Sequence, residues 1–152
     1  MRINIYQIAK NDKDEFEPIV KNFIKMCSKY SKVEIHNLFN KQIGKAQTIG
    51  ENEARQSYSD VFEPKLSSGY NIALDVLGKK IDSYSFSSLI DNKATINIFI
   101  GGAYGFSRDF LNKCDKVISL SDLTFAHKIA NLVLLEQIFR GLCILNNHPY
   151  HK

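Results

Sequence analysis

The 152-residue sequence predicts one α/β domain, in which a mostly parallel sheet carries helices on both faces. Short apolar segments rich in β-branched residues alternate with segments that repeat apolar residues every three or four positions. This alternation is typical of parallel strands joined by helices. The length suits a single core, and a hydrophobic content of 44% with 24% charged residues is ordinary for a globular domain.

The first half of the chain is predicted to contain two strands and two helices. Residues 2–9 alternate apolar and polar side chains as a strand does, and residues 33–39 resemble a second strand. Between them, residues 12–30 repeat apolar side chains at helical spacing. The segment 40–50 is rich in lysine, glutamine and glycine, offers little to bury, and is expected to be mobile. Good helix formers predict a second helix over 51–66.

The second half is predicted to alternate strands and helices more regularly. A serine hydroxyl can cap the first turn of a helix, and either Ser83 or Ser85 fits the start of the next helix. Ser107 is expected to cap a further short helix in the same way. The predicted strands cover residues 70–76, 94–100 and 116–120, and the predicted helices cover residues 83–91, 107–113 and 126–146.

The last predicted helix is apolar around nearly its whole circumference. Such a helix must be buried on all sides, and one small sheet can cover only one of them. We therefore expect its other side to meet a second copy of the chain in a two-fold homodimer. A central core helix in a monomer is the alternative. Glu136 and Arg140 argue against a membrane span over residues 129–145, because charged groups are costly inside a bilayer.

Charge and cysteine content narrow the class of protein. The formal net charge of +4 is compatible with a polyanionic partner but does not require one. Lysines recur between residues 21 and 45, where a solvated helix surface is the ordinary explanation and a nucleic-acid surface the alternative.

The three cysteines lie far apart, without the spacing of a zinc or redox motif, so no metal is expected. No apolar leader opens the sequence, and the cytoplasm is the expected location.

Three glycines follow the predicted strand 94–100. Gly101, Gly102 and Gly105 can let main chain approach a flat ligand, because glycine has no side chain in the way. The residues after them lack the Lys-Ser/Thr pair of a phosphate-binding P-loop. A dinucleotide fold would carry its glycines after the first strand, where residues 9–12 contain none, so a nucleotide-dependent oxidoreductase is disfavoured. These observations favour a ligand without phosphates.

The segment after the last helix reads Asn-His-Pro-Tyr-His-Lys over residues 147–152. Chain ends are usually disordered unless something fixes them, so a cluster of imidazole, phenol and amine groups indicates chemistry. Histidine exchanges protons near neutral pH, and a lysine or arginine cation can stabilise a developing anion.

Four motifs together resemble the RlmH family, a branch of the SPOUT methyltransferases. They are Ile-Gly-Gly-x-x-Gly-x-Ser at 100–107, Leu-Ser-x-Leu-Thr-Phe-x-His at 120–127, Glu-Gln-x-x-Arg at 136–140 and Tyr-His-Lys at 150–152. The resemblance implies methylation of N3 of a pseudouridine in large-subunit (23S) ribosomal RNA on the assembled ribosome. It further implies S-adenosylmethionine as cofactor, a homodimer, and a SPOUT-type fold with a C-terminal trefoil knot, which ordinary folding rules would not propose.

The chemistry of the last helix and the segment after it suggests one set of site residues, and the resemblance, carried over by position, implies another. Tyr150 and His148 would position or deprotonate the base, while Lys152 and Arg140 would hold phosphate or developing charge. His127 is expected to make an orienting hydrogen bond rather than to act in catalysis. The predicted cofactor-binding set is Leu74, Gly101, Gly102, Gly105, Leu120, Ser121, Asp122, Leu123, Thr124, Phe125 and Ala126, whose leucines could instead be plain core.

Three positions depart from the family pattern. Ala126, Asn131 and Phe139 stand where proline, arginine and tyrosine are usual. Without an arginine at 131, contact with RNA or with the partner is left to other cations, such as Lys128 and Arg140. A rival function is a noncatalytic RNA- or ribosome-binding module that keeps the S-adenosylmethionine pocket, and it predicts cofactor binding without turnover.

Overall fold

The structure, a computed structural model, describes residues 1–152 and alternates strands with helices along the chain. In chain order the elements are β1 (Arg2–Gln7), α1 (Glu17–Cys27), β2 (Lys32–Asn37), α2 (Lys41–Ile49), α3 (Glu51–Phe62), β3 (Tyr70–Lys80), α4 (Ser83–Ile90), β4 (Thr95–Ile100), α5 (Arg108–Lys113), β5 (Lys116–Ser119) and α6 (His127–Leu145). A 3-10 turn, Glu63–Ser67, links α3 to β3. The strands form one sheet in the order β2-β1-β4-β3-β5. Every neighbouring pair is parallel, which confirms the predicted α/β class.

Helices cover both faces of this sheet, because successive strand residues point to opposite sides. Ile3 and Ile5 of β1 are fully buried in an apolar cluster that also contains residues of α1, α4 and α6. Ile8 and Phe99 belong to a second cluster, on the side of α2, α3 and α5. The sheet is therefore the middle layer of three, as the alternation of elements predicted.

The segment 40–50, predicted to be mobile, is instead the ordered helix α2, so that prediction was wrong. The Asn40 side chain caps this helix, accepting a hydrogen bond from the Ile43 amide at 2.8 Å. Ile43 is fully buried and Ala46 is 9% exposed, so two residues one turn apart anchor the helix in the second cluster. The polar composition of the segment concealed this short apolar stripe.

Several boundaries differ from the sequence predictions, and α1, β1 and α3 are each shorter than predicted. Asp82, rather than Ser83 or Ser85, caps α4, because its side chain accepts a hydrogen bond from the Ser85 amide at 2.7 Å. Strand β3 continues to Lys80 rather than ending at 76. Its pairing with β5 shifts register between Leu74 and Lys79, so the intervening residues bulge at the edge of the site described below.

Helix α6 is covered by its own chain more completely than the sequence predicted. It packs against α1 and α4 as well as contributing Leu134, Leu135 and Ile138 to the first apolar cluster. Ile129 is 38% exposed, and Val133 is partly exposed. The apolar circumference of α6 is thus largely explained within one chain, and it supports a homodimer less strongly than expected. No helix of the chain combines the length and apolar character that crossing a membrane requires.

Three asparagines form a buried row across the three strands at the centre of the sheet. Asn4 donates a hydrogen bond to the Asn97 side-chain oxygen at 3.0 Å, and Asn97 donates to the Asn71 side-chain oxygen at 3.0 Å. Asn4 and Asn71 are the register partners of Asn97 on its two sides. Buried amides must find partners, so this row fixes the alignment of β1, β4 and β3.

Candidate functional site

Loops at the carboxyl ends of β3, β4 and β5 enclose a cavity of about 620 Å³. This is the edge at which open parallel sheets bind their ligands. Its walls are the bulge of β3, the glycine loop after β4, the loop after β5 and the first turn of α6. The lining includes Leu74, Asp75, Val76, Leu77, Ile100, Gly101, Gly102, Ala103, Tyr104, Gly105, Phe106, Ser119, Leu120, Ser121, Leu123, Thr124, Phe125, His127 and Ala130, together with Arg55, Arg108 and Leu111.

The glycine loop is a tight turn that needs its glycines for packing. The Gly105 amide donates to the Gly102 carbonyl at 3.0 Å, and Gly105 has a φ of 71°. That left-handed backbone favours glycine. A Cβ on Gly102 would lie 2.5 Å from the Tyr58 ring, and a Cβ on Gly101 would lie 3.1 Å from the Gly105 main chain. At Gly101 and Gly102 a side chain would therefore collide with other parts of the protein, a reason for glycine that the sequence did not reveal.

Helices α2 and α3 brace this loop from behind. Gln47 of α2 donates a hydrogen bond to the Tyr58 hydroxyl at 2.7 Å, and Tyr58 is fully buried against Gly102. Arg55 of α3 donates from Nε to the Tyr104 carbonyl at 2.8 Å. The helix that was predicted to be mobile thus helps to hold the glycine loop in place.

The loop between β5 and α6 supplies the wall opposite the glycine loop. Ser121 shapes it, because its hydroxyl accepts a hydrogen bond from the Leu123 amide at 3.0 Å while its carbonyl accepts from the Ser119 hydroxyl at 2.8 Å. Of the eleven predicted cofactor-binding residues, only Asp122 and Ala126 do not line the cavity. Asp122 is exposed and pairs with Lys80 at 2.7 Å, so its carboxylate is committed to the end of β3.

His127 lies at the first turn of α6, on the cavity wall. Its Nε2 atom is buried and makes no hydrogen bond within the chain, and its orienting role stays a prediction. Burial lowers the pKa of His127, and the positive charge of Lys128 lowers it further. Asn131, one turn along, is also buried and its side-chain oxygen has no partner. The imidazole is therefore neutral near pH 7.

The segment after α6, residues 147–152, is called the tail below, and a defined turn sets its direction. Asn147 has a φ of 53°, the left-handed conformation common just beyond a helix. The His148 amide donates to the Cys143 carbonyl at 2.9 Å, and the Asn147 amide donates to the Ile144 carbonyl at 3.2 Å. These two bonds end the helix and fold the tail back along it.

Glu136 organises the groups of the tail. Its Oε1 atom accepts hydrogen bonds from the Tyr150 hydroxyl at 3.1 Å and from Arg140 Nε at 3.0 Å. A second nitrogen of Arg140 lies 3.0 Å from His151 Nδ1. Burial raises the pKa of Tyr150, and the negative charge of Glu136 raises it further. The phenol is consequently a neutral donor in this arrangement.

The other two predicted catalytic residues lie apart from this network. His148 has its ring against Tyr30, in the turn between α1 and β2, with 6.5 Å between ring centroids, and Lys152 is exposed. The structure therefore brings Arg140 and Tyr150 together, and it places His148 on the side of the tail that faces α1.

The tail does not reach the cavity of its own chain. Glu136, which holds the Tyr150 hydroxyl, follows the cavity-lining Ala130 by six residues of α6, a separation of about 9 Å at 1.5 Å per residue, and Arg140 follows Ala130 by ten residues, about 15 Å. No residue of the tail lines the cavity. The predicted cofactor-binding residues thus largely assemble at one end of α6, and the predicted catalytic residues lie at the other.

Sequence reasoning missed several of the residues that shape the two regions. The bulge residues Val76 and Leu77 precede Gly78, and an isolated glycine within a strand pattern is a signal for a bulge. Glu136 stands four residues before Arg140, a spacing that predicts a helical ion pair. Arg55 carries no comparable signal, because its contact comes from distant sequence. No group of three or more His, Cys, Asp or Glu side chains is placed to hold a metal ion.

Comparisons with known proteins give the family. A family model described as "Predicted SPOUT methyltransferase" matches residues 1–151. A curated relative from Aliarcobacter butzleri (strain RM4018) is 70% identical over 152 residues, covering all of both chains. Another from Sulfurovum sp. (strain NBC37-1) is 48% identical over 153 residues, again covering all of both chains. Both relatives are named "Ribosomal RNA large subunit methyltransferase H".

A solved structure of a probable methylase family protein from Haemophilus influenzae Rd KW20 has the same fold. It superposes with a TM-score of 0.54 at 13% identity, covering 99% of this chain and 70% of that chain. The resemblance drawn from the four sequence motifs is confirmed by the family match and the full-length relatives. The chain belongs to the SPOUT methyltransferase family.

Proposed function

We propose that this methyltransferase modifies N3 of a pseudouridine in the 23S RNA of the assembled ribosome. The single observation that carries the substrate is the identity of 70% over the whole length of a relative named as a large-subunit ribosomal RNA methyltransferase. The four motifs at 100–107, 120–127, 136–140 and 150–152 agree with it. The cytoplasm, where ribosomes assemble, is the corresponding location.

The cavity at the carboxyl edge of the sheet fits S-adenosylmethionine. Its volume of about 620 Å³ lies within the range of small-molecule sites, roughly 300–1,000 Å³. Leu74, Leu120 and Phe125 offer an apolar surface for an adenine ring, and the main chain of the glycine loop offers donors and acceptors for polar groups. When bound, this cofactor supplies an electrophilic methyl group on a sulfonium. The neutral His127 adds no positive charge to a cavity that would hold a cation.

A second copy of the chain would complete the reaction chamber. No residue of the tail lines the cavity, and Tyr150 is held by Glu136, about 9 Å along α6 from the cavity-lining Ala130, so its hydroxyl does not lie beside a ligand there in this arrangement. Two-fold pairing is the commonest assembly, and it would bring each tail to the other subunit's cavity. Partly exposed apolar residues of α6 and its preceding loop, including Leu123 and Ile129, are available for contact. Family membership also implies the trefoil knot, which we include in the proposal.

Within that chamber, the residues of the tail would take separate roles. N3 of the base carries a proton that must leave, and the imidazole of His148 would accept it. Tyr150 has a raised pKa and a neutral phenol, so it would position the base by hydrogen bonding rather than remove the proton. Arg140 is held by Glu136, and Lys152 is free to contact phosphate or the developing anion.

Methyl transfer to ribosomes tests the proposal directly. Ribosomes carrying or lacking pseudouridine in the large-subunit RNA would be incubated with the enzyme and S-adenosylmethionine labelled in the methyl group. We expect label only in the pseudouridine-containing ribosomes, at N3 of that nucleoside by mass spectrometry. Cofactor binding in calorimetry without any transfer would contradict the proposal and favour the noncatalytic ribosome-binding module. Transfer to free RNA but not to ribosomes would contradict the assembled substrate.

Separate replacement of Tyr150 by Phe and of His148 by Ala, assayed at saturating cofactor, tests the roles within the tail. A lower rate of methyl transfer in each variant is expected. Unchanged rates in both would remove these two residues from the reaction.

A further inference from the structure

The surface beside the tail is positively charged because two lysines at the end of α1 have no acidic partner. Lys25 and Lys29 are both exposed, and neither takes part in any of the eight ion pairs of the chain. Lys25 lies in the last turn of α1, which ends at Cys27, and Lys29 lies in the turn that follows. This end of α1 therefore presents two positive charges that no acidic side chain of the chain neutralises.

The charge on this part of the molecule changes along α1. At the start of the helix, Lys21 pairs with Glu17 at 2.6 Å, and Lys128 of α6 pairs with Asp14. Asp12 and Glu15 add further negative charge there. Toward the end of the helix no acid remains, so the uncompensated positive charge is concentrated on the side where the tail lies.

A chain of contacts joins Lys29 to the tail. The Lys29 amine lies 5.3 Å from the centroid of the Tyr30 ring, and that ring packs against the ring of His148 at 6.5 Å. Burial raises the pKa of the Cys143 thiol, and the positive charges of Arg140 and Lys29 oppose this rise. Lys29 and Arg140 thus flank the same turn of α6, from which the tail starts.

We propose that Lys25 and Lys29 bind phosphates of the RNA strand that carries the target base, guiding it to the adjacent tail. The proposal rests on the proposed function, and it assigns the strand a path that neither the motifs nor the relatives' names specify. Lys25 and Lys29 are only four positions apart in the chain, both at one end of α1. Lysine has a flexible four-carbon stem, so both amines can reach the backbone of one strand. A phosphate backbone is the anionic partner that such a pair complements.

A charge-reversed double variant with a matched control tests the path. Lys25→Glu with Lys29→Glu removes the two proposed contacts, and Lys10→Glu with Lys13→Glu makes the same charge change in the loop before α1. That loop lies at the other end of α1, about 16 Å away for an 11-residue helix. Both control lysines are exposed, and neither forms an ion pair.

Methyl transfer to ribosomes would be measured for each enzyme over a series of salt concentrations, with the affinity for S-adenosylmethionine measured by calorimetry. The α1 variant is expected to lose kcat/KM by about tenfold or more, mainly through KM, while its cofactor affinity stays at the wild-type value. Plotted against log salt concentration, log kcat/KM has a negative slope, and each lost phosphate contact should make that slope shallower by about 0.7–0.9. The control should stay within about twofold of wild type, because it leaves phosphate contacts intact. Lys25→Arg with Lys29→Arg should retain activity, since the charges remain.

Several results would overturn the proposal. An equal loss of kcat/KM in the control would mean that the net charge of the protein matters and not these two positions. An unchanged kcat/KM in the α1 variant would mean that Lys25 and Lys29 are only solvated and do not contact the RNA. A loss of kcat/KM without a change in salt slope would mean that the two lysines do not contact phosphates. Wild-type enzyme that transfers no methyl to any ribosome would instead refute the proposed function. That failure is distinguishable, because it appears before any variant is compared.

Discussion

The two ends of α6 differ in how complete they are within one chain. At its beginning, a cavity is closed by four segments that brace one another, down to the contact of Gly102 with Tyr58. At its end, Tyr150 and Arg140 are ordered by Glu136 yet face no cavity of the same chain. The predicted cofactor-binding residues thus lie mostly around one cavity of a single chain, whereas the proposed reaction would need a second subunit.

Mixing two inactive variants is the most direct test of whether the reaction needs two subunits, and it has the largest expected effect. Thr124→Trp would fill the cavity from an exposed position, and Tyr150→Ala with Arg140→Ala would disable the tail. Each variant alone should lose methyl transfer by a factor of about one hundred or more, a loss of roughly 2.7 kcal/mol in transition-state stabilisation. After denaturation and refolding together, equal amounts should recover about a quarter of wild-type activity, because half the dimers have one intact chamber.

The control for this mixture is each variant refolded with itself, which should stay inactive. Recovery of no activity, in a mixture shown to contain mixed dimers, would mean that each tail serves the cavity of its own chain.

Disturbing the glycine loop tests whether the cavity is braced from within. In Gly102→Val, the Cβ would meet the Tyr58 ring at 2.5 Å, and overpacking of this kind typically lowers the free energy of unfolding by about 1–3 kcal/mol. We expect weaker S-adenosylmethionine binding in calorimetry as well. Gly44→Ala is the matched control, since its Cβ would meet the Phe39 ring at an ordinary 3.6 Å and alanine favours a helix. Equal stability of the two variants would contradict the bracing.

Removing the charge of Glu136 tests the order of the tail. Glu136→Gln keeps the size of the side chain but weakens its bonds to Arg140 and Tyr150, and bonds to a charged group contribute about 1.5–3 kcal/mol each. We expect kcat to fall by about tenfold with little change in cofactor affinity. Adding Tyr150→Phe should lower kcat by less than it does alone, because the two residues act as one unit. Fully additive losses would contradict a positioning role for Glu136.

Acidification should affect the beginning of α6, and this is the smallest expected effect. The pKa of His127 is lowered in the folded protein, so below pH about 6.5 the unfolded chain binds a proton more readily than the folded chain does. Above that pH, His127 should therefore not lower the free energy of unfolding. Below it, the free energy of unfolding should fall as the pH drops toward the pKa of His127 in the folded protein. Denaturant titrations between pH 5 and 7.5 would compare wild type with His127→Gln, whose dependence should be shallower. If the free energy of unfolding changed equally with pH in the two proteins, the lowered pKa of His127 would be contradicted.

The sequence predicted the parts of the fold whose signals are local. Alternation in residues 2–9 and the cap at Ser107 depend on near neighbours, and both appear in the structure as β1 and α5. The helix α2 was missed because its stability comes from burying Ile43 against α3 and the sheet, which no local composition displays. The extension of β3 was missed because only its pairing with β5 stabilises residues after the bulge.

For the candidate site, motifs identified the cavity loops but not the arrangement of the tail. Gly101, Leu120 and Phe125 line one cavity, as residues in loops at neighbouring strand ends should. The separation of Arg140 from that cavity follows from the length of α6, which the sequence did contain. Its consequence is clear only once the direction of the helix relative to the sheet is known. The roles of the predicted site residues stay predictions until the variants above are measured.

The row of asparagines has a consequence for the time course of synthesis. Strand β1 can pair with β2 as soon as residue 37 is available, but its other edge stays open until Asn97 has been made. During that interval an apolar edge would be prone to pair with another nascent chain. Asn4 places an amide in the middle of that edge, where burial without its partner is costly. Asn4 aligns the finished sheet and would thus also disfavour pairing between incomplete sheets of neighbouring nascent chains on the polysome.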